Sequence, residues 1–501
     1  MREVCTKLLV IGIDGASAPV VARMRAQGRL PHLDSLAINQ DDGALITPFP
    51  PHTAPGWASI FTGVGPGEHG VYQFWQLQAP SYYPPLTTVA DFAREPLWRT
   101  LERHGLSVGL YQVPMSHPPA PIRNGYMLTW PLSPTLQYIW PKPLLKELAD
   151  RGLHYQSDLV TMYRDGAGYL DWALGTIDLK ARTIAYLMAA HPTDVLLAVF
   201  TEVDRVSHYF WGSEAQPSAA VESVYEAIDG AVGRLLAAVP DDCAVVVVSD
   251  HGFGLCRRNV HVNVLLEEAG LLRTMPTEPV SQAAPNDAFL GDAAAAASGA
   301  SWFTAARPAR TVDWARTRAF MPAPGCFGIN LNRAGRQAAG RDARDADSVI
   351  ADVTACIERL RYEGEQLFDV VPREAVYRGQ RLSQAPDLML LPRRWDIMPV
   401  PDIAGPLWSP PSQAGIHRTE GIFLTSGIAR RPTGPVRAED VAPTCLHALG
   451  LPVQCDLDGA ALGPGAVAFE PPQRVRASSA ARPGAAAQAL VEQRLAQMGY
   501  L

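Results

Sequence analysis

The chain has 501 residues, of which 47% are hydrophobic and 19% charged, as in an ordinary globular protein with ample core. Its formal charge of −7 excludes the basic surface with which proteins track a nucleic-acid duplex. We find no apolar run of about 18 residues, as a membrane-spanning helix needs, and no signal-peptide pattern at the start. We therefore expect a cytoplasmic protein without a membrane partner.

The first part of the chain alternates predicted strands and helices. The apolar run LLVIGI (8–13) predicts a buried parallel strand, and a helix is expected to follow it up to Gly28. Thr53 is predicted to cap a short helix that ends at Gly63. Another helix then precedes the strand SVGLYQV (107–113), and this alternation is typical of an α/β fold.

Two further helix–strand pairs continue the pattern. A long amphipathic helix over 170–191 precedes the buried strand 194–200. A helix over 223–239 precedes the buried strand 243–249. Both strands are continuously apolar, which is typical of a parallel sheet covered on both faces.

The later part of the chain is less regular. A helix is predicted to end near Gly270, another to cover 348–362, and a strand to cover 387–392. Between about 275 and 315 the chain is rich in Ala, Ser, Pro and Gly, which predicts a flexible insertion or a lid. The seven cysteines are scattered without a C-x-x-C pair, which argues against a disulfide framework and against a thiolate zinc site.

Acidic side chains follow three of the predicted strands. Asp14 comes directly after the first strand, Asp204 closely follows strand 194–200, and Asp250 follows the run VVVVS. Ligands bind open α/β sheets at the carboxyl ends of the parallel strands, so we expect the three carboxylates to meet there. Taken singly, such an Asp is typical of a cap or turn. Three together would be costly to bury without a metal ion to neutralise them.

Three histidines complete a set of metal ligands. Asp204 and His208 are four residues apart and face one side of a helix, although a solvated pair is the commoner use of this spacing. Asp250 and His251 lie on a DHG turn where both reach one ion, and His417 lies in GIHRTEG. Three carboxylates, three imidazoles and one hydroxyl suit two adjacent divalent ions for phosphoryl chemistry. We expect zinc, with manganese as the alternative.

Thr53 is the candidate nucleophile. A helix N terminus offers free N–H groups and a positive dipole end, which suits a phosphate. A hydroxyl that touches a metal ion there ionises at neutral pH and attacks phosphorus. A plain helix cap is the alternative interpretation of Thr53.

The order of these segments resembles the alkaline phosphatase superfamily, and within it the type I phosphodiesterase/nucleotide pyrophosphatase-like branch, which includes predicted phosphohydrolases and phosphomutases. The resemblance covers roughly 5–270 and 315–465, through GIDG, TAPGWASIFTG, PGEHGV, DRVSHYFW, SDHGFG, GIHRTEG and DVAPTCLHALGLPVQCDLDG. It implies an α/β fold, a three-layer α/β/α sandwich with a mostly parallel central sheet and a cap insertion.

The resemblance also implies a division of the ligands between two ions. One ion would be held by Asp204, His208 and His417, and the other by Asp14, Asp250, His251 and the Thr53 oxygen. Thr53 would form a phospho-threonine intermediate, which water then hydrolyses.

Some positions depart from the family pattern or are predicted to contact the substrate. Eukaryotic-type nucleotide pyrophosphatases carry an Asn three residues after the nucleophile, where this chain has Gly56 followed by Trp57. The sulfatase pattern C-x-P-x-R is absent. We predict substrate contacts for Gly56, Trp57, Arg205 and Arg418, with ion pairs to neighbouring carboxylates as the alternative for the two arginines.

We therefore predict a two-metal phosphohydrolase of the phosphodiesterase/nucleotide pyrophosphatase type that acts on a small-molecule phosphoester. The alternatives are a phosphomonoesterase or metal-dependent phosphomutase and, in another class, a non-catalytic metal-binding interaction protein. We predict a hydrolase core over 1–255 and 416–470, an insertion over 256–415 that contributes partly to the core, and a linker with a terminal helix over 471–501. The sequence leaves the leaving group and the oligomeric state open.

Overall fold

A computed structural model describes most of the chain. It covers residues 6–36, 44–82, 84–130, 137–153, 168–213, 216–276, 310–341, 345–403, 405–428, 435–463 and 465–473. No helix within these ranges is both long and apolar enough to cross a membrane.

The strands of the described residues are, in chain order, β1 (Leu8–Ile13), β2 (Ala44–Ile46), β3 (Val108–Val113), β4 (Gly125–Thr129), β5 (Ile139–Trp140), β6 (Val195–Phe200), β7 (Ala244–Val248), β8 (Gly252–Leu255), β9 (Arg258–His261), β10 (Thr274–Pro276), β11 (Arg310–Val312), β12 (Ala319–Phe320), β13 (Gly328–Leu331), β14 (Arg361–Tyr362), β15 (Glu365–Gln366), β16 (Phe368–Pro372), β17 (Leu388–Pro392), β18 (Ile397–Val400), β19 (Trp408–Ser409), β20 (Gly415–Arg418), β21 (Glu420–Ser426), β22 (Val436–Arg437), β23 (Val453–Gln454) and β24 (Phe469–Glu470). The α-helices are α1 (Ala18–Ala26), α2 (Pro31–Ser35), α3 (Thr53–Thr62), α4 (Pro66–His69), α5 (Leu97–Arg103), α6 (Pro143–Asp150), α7 (Tyr169–Ala190), α8 (Glu202–Phe210), α9 (Ala219–Leu236), α10 (Val262–Glu268), α11 (Ala346–Glu358), α12 (Arg373–Val376) and α13 (Val441–Ala448). Short 3₁₀ turns cover Val89–Asp91, Leu382–Gln384 and Ala438–Asp440.

Nine strands form the central sheet, in the order β22-β2-β21-β7-β1-β6-β3-β4-β5. Its middle is parallel, because β1 pairs in parallel with both β6 and β7, and β3 pairs in parallel with both β6 and β4. Antiparallel pairing enters with β5 on one side and with β21 on the other. The predicted mostly parallel sheet is confirmed.

Helices cover both faces of this sheet. Successive side chains of a strand point to opposite faces, so Leu9, Ile11 and Ile13 of β1 pack into one apolar cluster with α1, α7 and α9. Leu8 and Val10 pack into a second cluster with α3, α5 and α13. This arrangement gives the predicted α/β/α sandwich, and it explains why β1 is apolar at every position rather than at alternate ones.

A third apolar cluster is built from residues between Cys256 and Ile416. It contains side chains of α10 and α11 and of the four-stranded antiparallel sheet β12-β13-β17-β16. This cluster coincides with the predicted insertion 256–415, while the division of the chain into separate units stays a prediction.

The predicted elements are found with small shifts at their ends. One detail is wrong: Thr53 does not cap its helix but is its first residue, and the cap is His52, whose ring Nδ1 accepts a hydrogen bond of 3.1 Å from the Ala54 amide. Gly63 ends that helix with φ of 71°, as predicted. The predicted terminal helix and most of the Ala-rich stretch 275–315 lie outside the described residues.

Candidate metal centre and active site

Three neighbouring strands deliver the three aspartates to one edge of the sheet. Asp14 directly follows β1, Asp250 follows β7 by two residues, and Asp204 lies in the first turn of α8 after β6. The segments are tied to one another, because the Asp14 amide donates to the Phe200 carbonyl (2.9 Å) and the Asp204 amide donates to the Asp14 carbonyl (3.1 Å). The predicted meeting of the carboxylates at the carboxyl ends of the strands is thus present in the fold.

Gly15 lets these segments approach closely. Its φ of +75° is in the left-handed region, and a Cβ there would lie 2.9 Å from the Cα of Asp204. Its amide donates to Oδ1 of Asp250 over 3.2 Å. The DG turn after β1 therefore both places Asp14 and orients Asp250.

Three histidines point their Nε2 atoms into the same cluster. In each ring Nδ1 faces a backbone carbonyl: Gly415 for His208 (3.3 Å), Gly252 for His251 (3.1 Å) and Pro51 for His417 (3.2 Å). A carbonyl can only accept, so Nδ1 carries the hydrogen in each neutral ring and Nε2 keeps a lone pair. This is the tautomer that ligates metal ions through Nε2.

The Nε2 atoms converge on Asp204. Its Oδ1 lies 3.2 Å from Nε2 of His417, 3.4 Å from Nε2 of His208 and 3.9 Å from Nε2 of His251. The Nε2 atoms of His208 and His417 are themselves only 3.2 Å apart. Two lone pairs at this distance repel each other unless a proton or a cation lies between them.

Unsatisfied oxygens show that the cluster fits metal ions. Among the described residues, Oδ1 of Asp14, Oδ1 of Asp204 and Oδ2 of Asp250 are buried without a hydrogen-bond partner. Buried polar atoms normally have partners, so three orphan carboxylate oxygens beside three imidazole lone pairs call for cations. The donor set of carboxylates and imidazoles is the one that zinc and manganese accept.

The ligand atoms form two overlapping groups, each within 4.8 Å. The first contains Asp204, His208 and His417, and the second contains Asp14, Asp204 and His251. Asp204 thus belongs to both, whereas the resemblance assigned it to one. Asp250 adjoins the second group, with Oδ2 3.2 Å from Nε2 of His251. The division of ligands between two ions stays a prediction.

Burial and mutual repulsion set the charges of the cluster. Burial, and then the charge of Asp204, raise the pKa of Asp14 well above its ordinary value. Burial and the neighbouring carboxylates do the same for the pKa of Asp250. Burial opposes ionisation of Asp204, but the interactions with His208 and His417 in their protonated forms outweigh it and hold the pKa of Asp204 well below the usual range. Burial lowers the pKa of His251 and of His417, which favours the neutral rings that bind metal.

Thr53 borders the cluster at the start of α3. Its hydroxyl lies 3.3 Å from Nε2 of His251, and the residue is only 6% exposed. The N-terminal end of α3 has fewer free N–H groups for a phosphate than predicted. The Ala54 amide donates to the His52 ring, and Pro55 has no N–H. Stabilisation of a bound phosphate would therefore come mainly from the cations that the ligand cluster would hold.

Trp57 and Gly56 lie against the metal ligands, and a substrate contact by either stays a prediction. Trp57 is buried, and its indole Nε1 donates to Oδ2 of Asp14 over 2.9 Å, which leaves the other carboxylate oxygen for an ion. A Cβ at Gly56 would lie 3.0 Å from both the Cβ and the carbonyl oxygen of Asp250. The close approach of α3 to the DHG turn therefore leaves no room for the Asn found at this place in eukaryotic-type relatives.

The two predicted arginines also lie beside the ligands. Arg418 donates to the carbonyls of Ile416 (3.2 Å), His417 (3.1 Å) and Leu255 (2.8 Å), which fixes the β20–β8 pair that carries His417. Arg205 is 2% exposed on α8, and its charge is among those that oppose the raised pKa of Asp14. A substrate contact by either arginine stays a prediction.

Sequence reasoning missed three neighbours of the site. His52 is buried next to Thr53, with its ring 4.9 Å from that of Phe74, and burial lowers its pKa to about 3. Lys180 of α7 and Glu202, the first residue of α8, form a 2.7 Å ion pair at 0% exposure. A lysine on the apolar face of a predicted amphipathic helix was the available signal for this pair.

The geometry can be set beside known proteins. The sequence model of the type I phosphodiesterase/nucleotide pyrophosphatase family matches residues 8–403. Comparison with curated protein sequences gives no match.

Solved structures with the same fold include three informative cases. Human ectonucleotide pyrophosphatase/phosphodiesterase 5 is 14% identical with a TM-score of 0.52, over 91% of this chain and 97% of that chain. The inactive murine form of that protein, in complex with AMP, is also 14% identical with a TM-score of 0.52, over 89% and 95%. Phosphonoacetate hydrolase from Sinorhizobium meliloti 1021, in complex with phosphonoacetate, is 14% identical with a TM-score of 0.55, over 89% and 96%.

At these identities the structural likeness shows the fold, which is the alkaline-phosphatase-like sandwich expected from the sequence. The family match is the stronger finding, because it spans well over half of the chain. This chain therefore belongs to the type I phosphodiesterase/nucleotide pyrophosphatase family, and it is a metal-dependent phosphoester hydrolase.

Proposed function

We propose that the enzyme cleaves phosphodiesters or pyrophosphate-linked compounds through a phospho-threonine intermediate on Thr53. The observation that carries this proposal is the position of the Thr53 hydroxyl, 3.3 Å from Nε2 of His251 at the border of the ligand cluster. A hydroxyl beside such a cluster is placed to become a nucleophile.

Two divalent ions, when held by the six ligands, supply Lewis-acid stabilisation and lower the pKa of a bound hydroxyl or water. The residues Asp14, Asp204, His208, Asp250, His251 and His417 would hold them. We propose zinc for both, and elemental analysis of the purified protein tests this choice. A cytoplasmic location stays a prediction from the sequence.

The reaction then proceeds through two successive displacements at phosphorus. The Thr53 hydroxyl gives up its proton as Oγ1 bonds to phosphorus and the bond to the leaving oxygen breaks, and the leaving group takes up a proton in exchange. Water then bonds to phosphorus on the opposite side while the bond to Oγ1 breaks, which restores the Thr53 hydroxyl. Trp57 holds Asp14 in position throughout, through its 2.9 Å hydrogen bond.

The surroundings of Thr53 favour a diester over a monoester. A monoester dianion presents three non-bridging oxygens and one further negative charge, which additional cations would have to meet. Here Arg418 is engaged by three carbonyls, and Arg205 is only 2% exposed. Aromatic rings lie on the side of Thr53 where its neighbour His52 contacts Phe74, and the ring of Phe74 lies 6.0 Å from that of Trp130. Aromatic neighbours suit the organic substituent of a diester.

A comparison of two chromogenic substrates tests the proposal. The metal-loaded enzyme should hydrolyse bis-(nitrophenyl) phosphate with a higher kcat/KM than nitrophenyl phosphate. A tenfold or greater preference for the monoester, about 1.4 kcal/mol in transition-state terms, would overturn it and favour a phosphomonoesterase. Transfer of the phosphoryl group back to a different hydroxyl of the product would instead indicate a phosphomutase.

A further inference from the structure

Four arginines line a cavity that shares no lining residue with the metal centre. The cavity has a volume of about 620 Å³, within the range of small-molecule sites, and lies between segment 70–92 and segments 333–337 and 373–387. We call Arg333, Arg336, Arg373 and Arg381 the arginine cluster. The cavity thus lies between a segment of the predicted hydrolase core and two segments of the predicted insertion.

The carboxylates of the lining do not balance the arginine cluster. Only Asp91 and Asp387 contribute negative charge to the lining, against four guanidinium groups. Asp387 is buried and serves three of them, with contacts of 2.9 Å to Arg336, 3.4 Å to Arg373 and 3.7 Å to Arg333. Glu374, which also contacts Arg373, lies outside the lining with a side chain 57% exposed.

The other carboxylate is engaged elsewhere. Oδ2 of Asp91 accepts hydrogen bonds from the Thr88 amide (2.8 Å) and hydroxyl (3.1 Å), as part of a capping box. Within the described residues, no carboxylate pairs with the guanidinium of Arg381. The lining therefore keeps an excess of positive charge around Arg333 and Arg381.

Two further observations indicate that this charge is only partly satisfied. Nε of Arg333 is buried without a hydrogen-bond partner among the described residues. Burial lowers the pKa of Arg336, and the charges of Arg373 and Arg333 lower it further against the opposing effect of Asp387. A dianion in the cavity would give Nε of Arg333 a hydrogen-bond partner and would offset the repulsion among the arginines. Guanidinium groups bind phosphate oxygens through pairs of hydrogen bonds.

We infer that the cavity binds a small organic phosphate, whose phosphoryl group contacts Arg333 and Arg381 and whose body carries hydroxyl groups. The exposed part of the lining supports this choice, because Ser383 and Gln384 present a hydroxyl and an amide there, whereas the Gln76 and Gln337 amides already bond within the protein. Amides and hydroxyls recognise a polar body such as a sugar, whereas an apolar ligand would leave them unpaired. This site is separate from the proposed catalytic site and does not depend on it.

Calorimetric titration with ribose 5-phosphate tests the inference. The metal-loaded protein is used in a Thr53→Ala background, which keeps the probe intact. Arg333→Gln together with Arg381→Gln should weaken binding tenfold or more. The matched control is Arg393→Gln, which removes an exposed arginine paired with Asp369 outside the cavity, and it should change the affinity less than twofold. Ribose alone should not bind.

Several results would overturn the inference. One is unchanged affinity in the double variant, which would assign the bound probe to the metal centre. Another is an equal loss in Arg393→Gln, which would indicate a general charge effect. Tighter binding of succinate than of the phosphate would assign the cavity to dicarboxylates. If the double variant does not fold, Arg381→Gln alone should still weaken binding at least threefold, and an unchanged affinity would contradict the site.

Discussion

The hydroxyl of Thr53 lies 3.3 Å from Nε2 of His251, and that same nitrogen lies 3.2 Å from Oδ2 of Asp250 and 3.7 Å from Oδ1 of Asp14. The first residue of α3 therefore contacts His251, which itself lies beside the carboxylates that two parallel strands deliver. This relationship links the fold to the proposed chemistry.

Thr53→Ala should lower kcat by roughly 10³-fold or more, because it removes the nucleophile. Metal content should stay unchanged, since the six carboxylate and imidazole ligands remain. Thr53→Ser should keep part of the activity. Thr62→Ala is the matched control, because Thr62 ends the same helix and its hydroxyl donates only to the Ala58 carbonyl (2.6 Å). Near-normal turnover by Thr53→Ala would mean that water attacks the substrate directly.

Trp57→Phe should weaken metal binding roughly 10- to 100-fold, because it removes the hydrogen bond that orients Asp14. The aromatic ring, which stacks on Phe61 at 5.6 Å, would be largely preserved. Trp98→Phe is the control, since Trp98 contacts the same Phe61 ring from another side. Metal titration followed by activity is the measurement, and an equal effect of both variants would show that only packing matters.

Gly56→Ala should destabilise the protein by about 1–3 kcal/mol, because the added methyl group would meet Asp250 at 3.0 Å. Gly230→Ala, within α9, should leave stability unchanged or raise it by up to about 1 kcal/mol, because nothing lies within 4 Å of that position. Urea unfolding of the two variants is the measurement. Equal stability would contradict the close approach of α3 to the DHG turn.

His69 should make the protein less stable in acid. It is buried, Nε2 lies 3.0 Å from the Ser59 hydroxyl, and burial lowers its pKa from 6.5 to about 3. As pH falls below 6.5, the unfolded chain takes up a proton that the folded protein refuses until about pH 3. The free energy of unfolding therefore decreases over this pH window, and His69 contributes about 1.4 kcal/mol of this decrease per pH unit.

The measurement is urea unfolding at pH 7.5 and 5.5. The loss on acidification should be about 1.4 kcal/mol smaller in His69→Gln than in the unchanged protein. An identical pH dependence in His69→Gln would contradict a neutral buried ring.

Much of the sheet could be predicted, because parallel strands covered on both faces leave a plain pattern. LLVIGI is buried at every position, as a continuously apolar run requires. The meeting of Asp14, Asp204 and Asp250 followed from the same rule, since parallel strands end at one edge.

Other features depend on contacts between distant segments, which periodicity does not reveal. Trp57 and Asp14 are 43 residues apart, and the pattern around Trp57 is that of a core residue rather than of a hydrogen-bond donor. Arg418 likewise contacts a distant segment, because its hydrogen bond to the Leu255 carbonyl follows from the β20–β8 pairing. The arginine cluster is assembled from two separate stretches, 333–336 and 373–381, so its residues appear unrelated in the sequence.

The central claim is that these ligands hold two ions beside Thr53, and anomalous diffraction from crystals grown with zinc or manganese tests it most directly. The account predicts two peaks about 3.5–4 Å apart. One should lie among Asp204, His208 and His417, and the other beside Asp14, His251 and the Thr53 hydroxyl. A single peak in fully active crystals, or peaks remote from Thr53, would contradict the account.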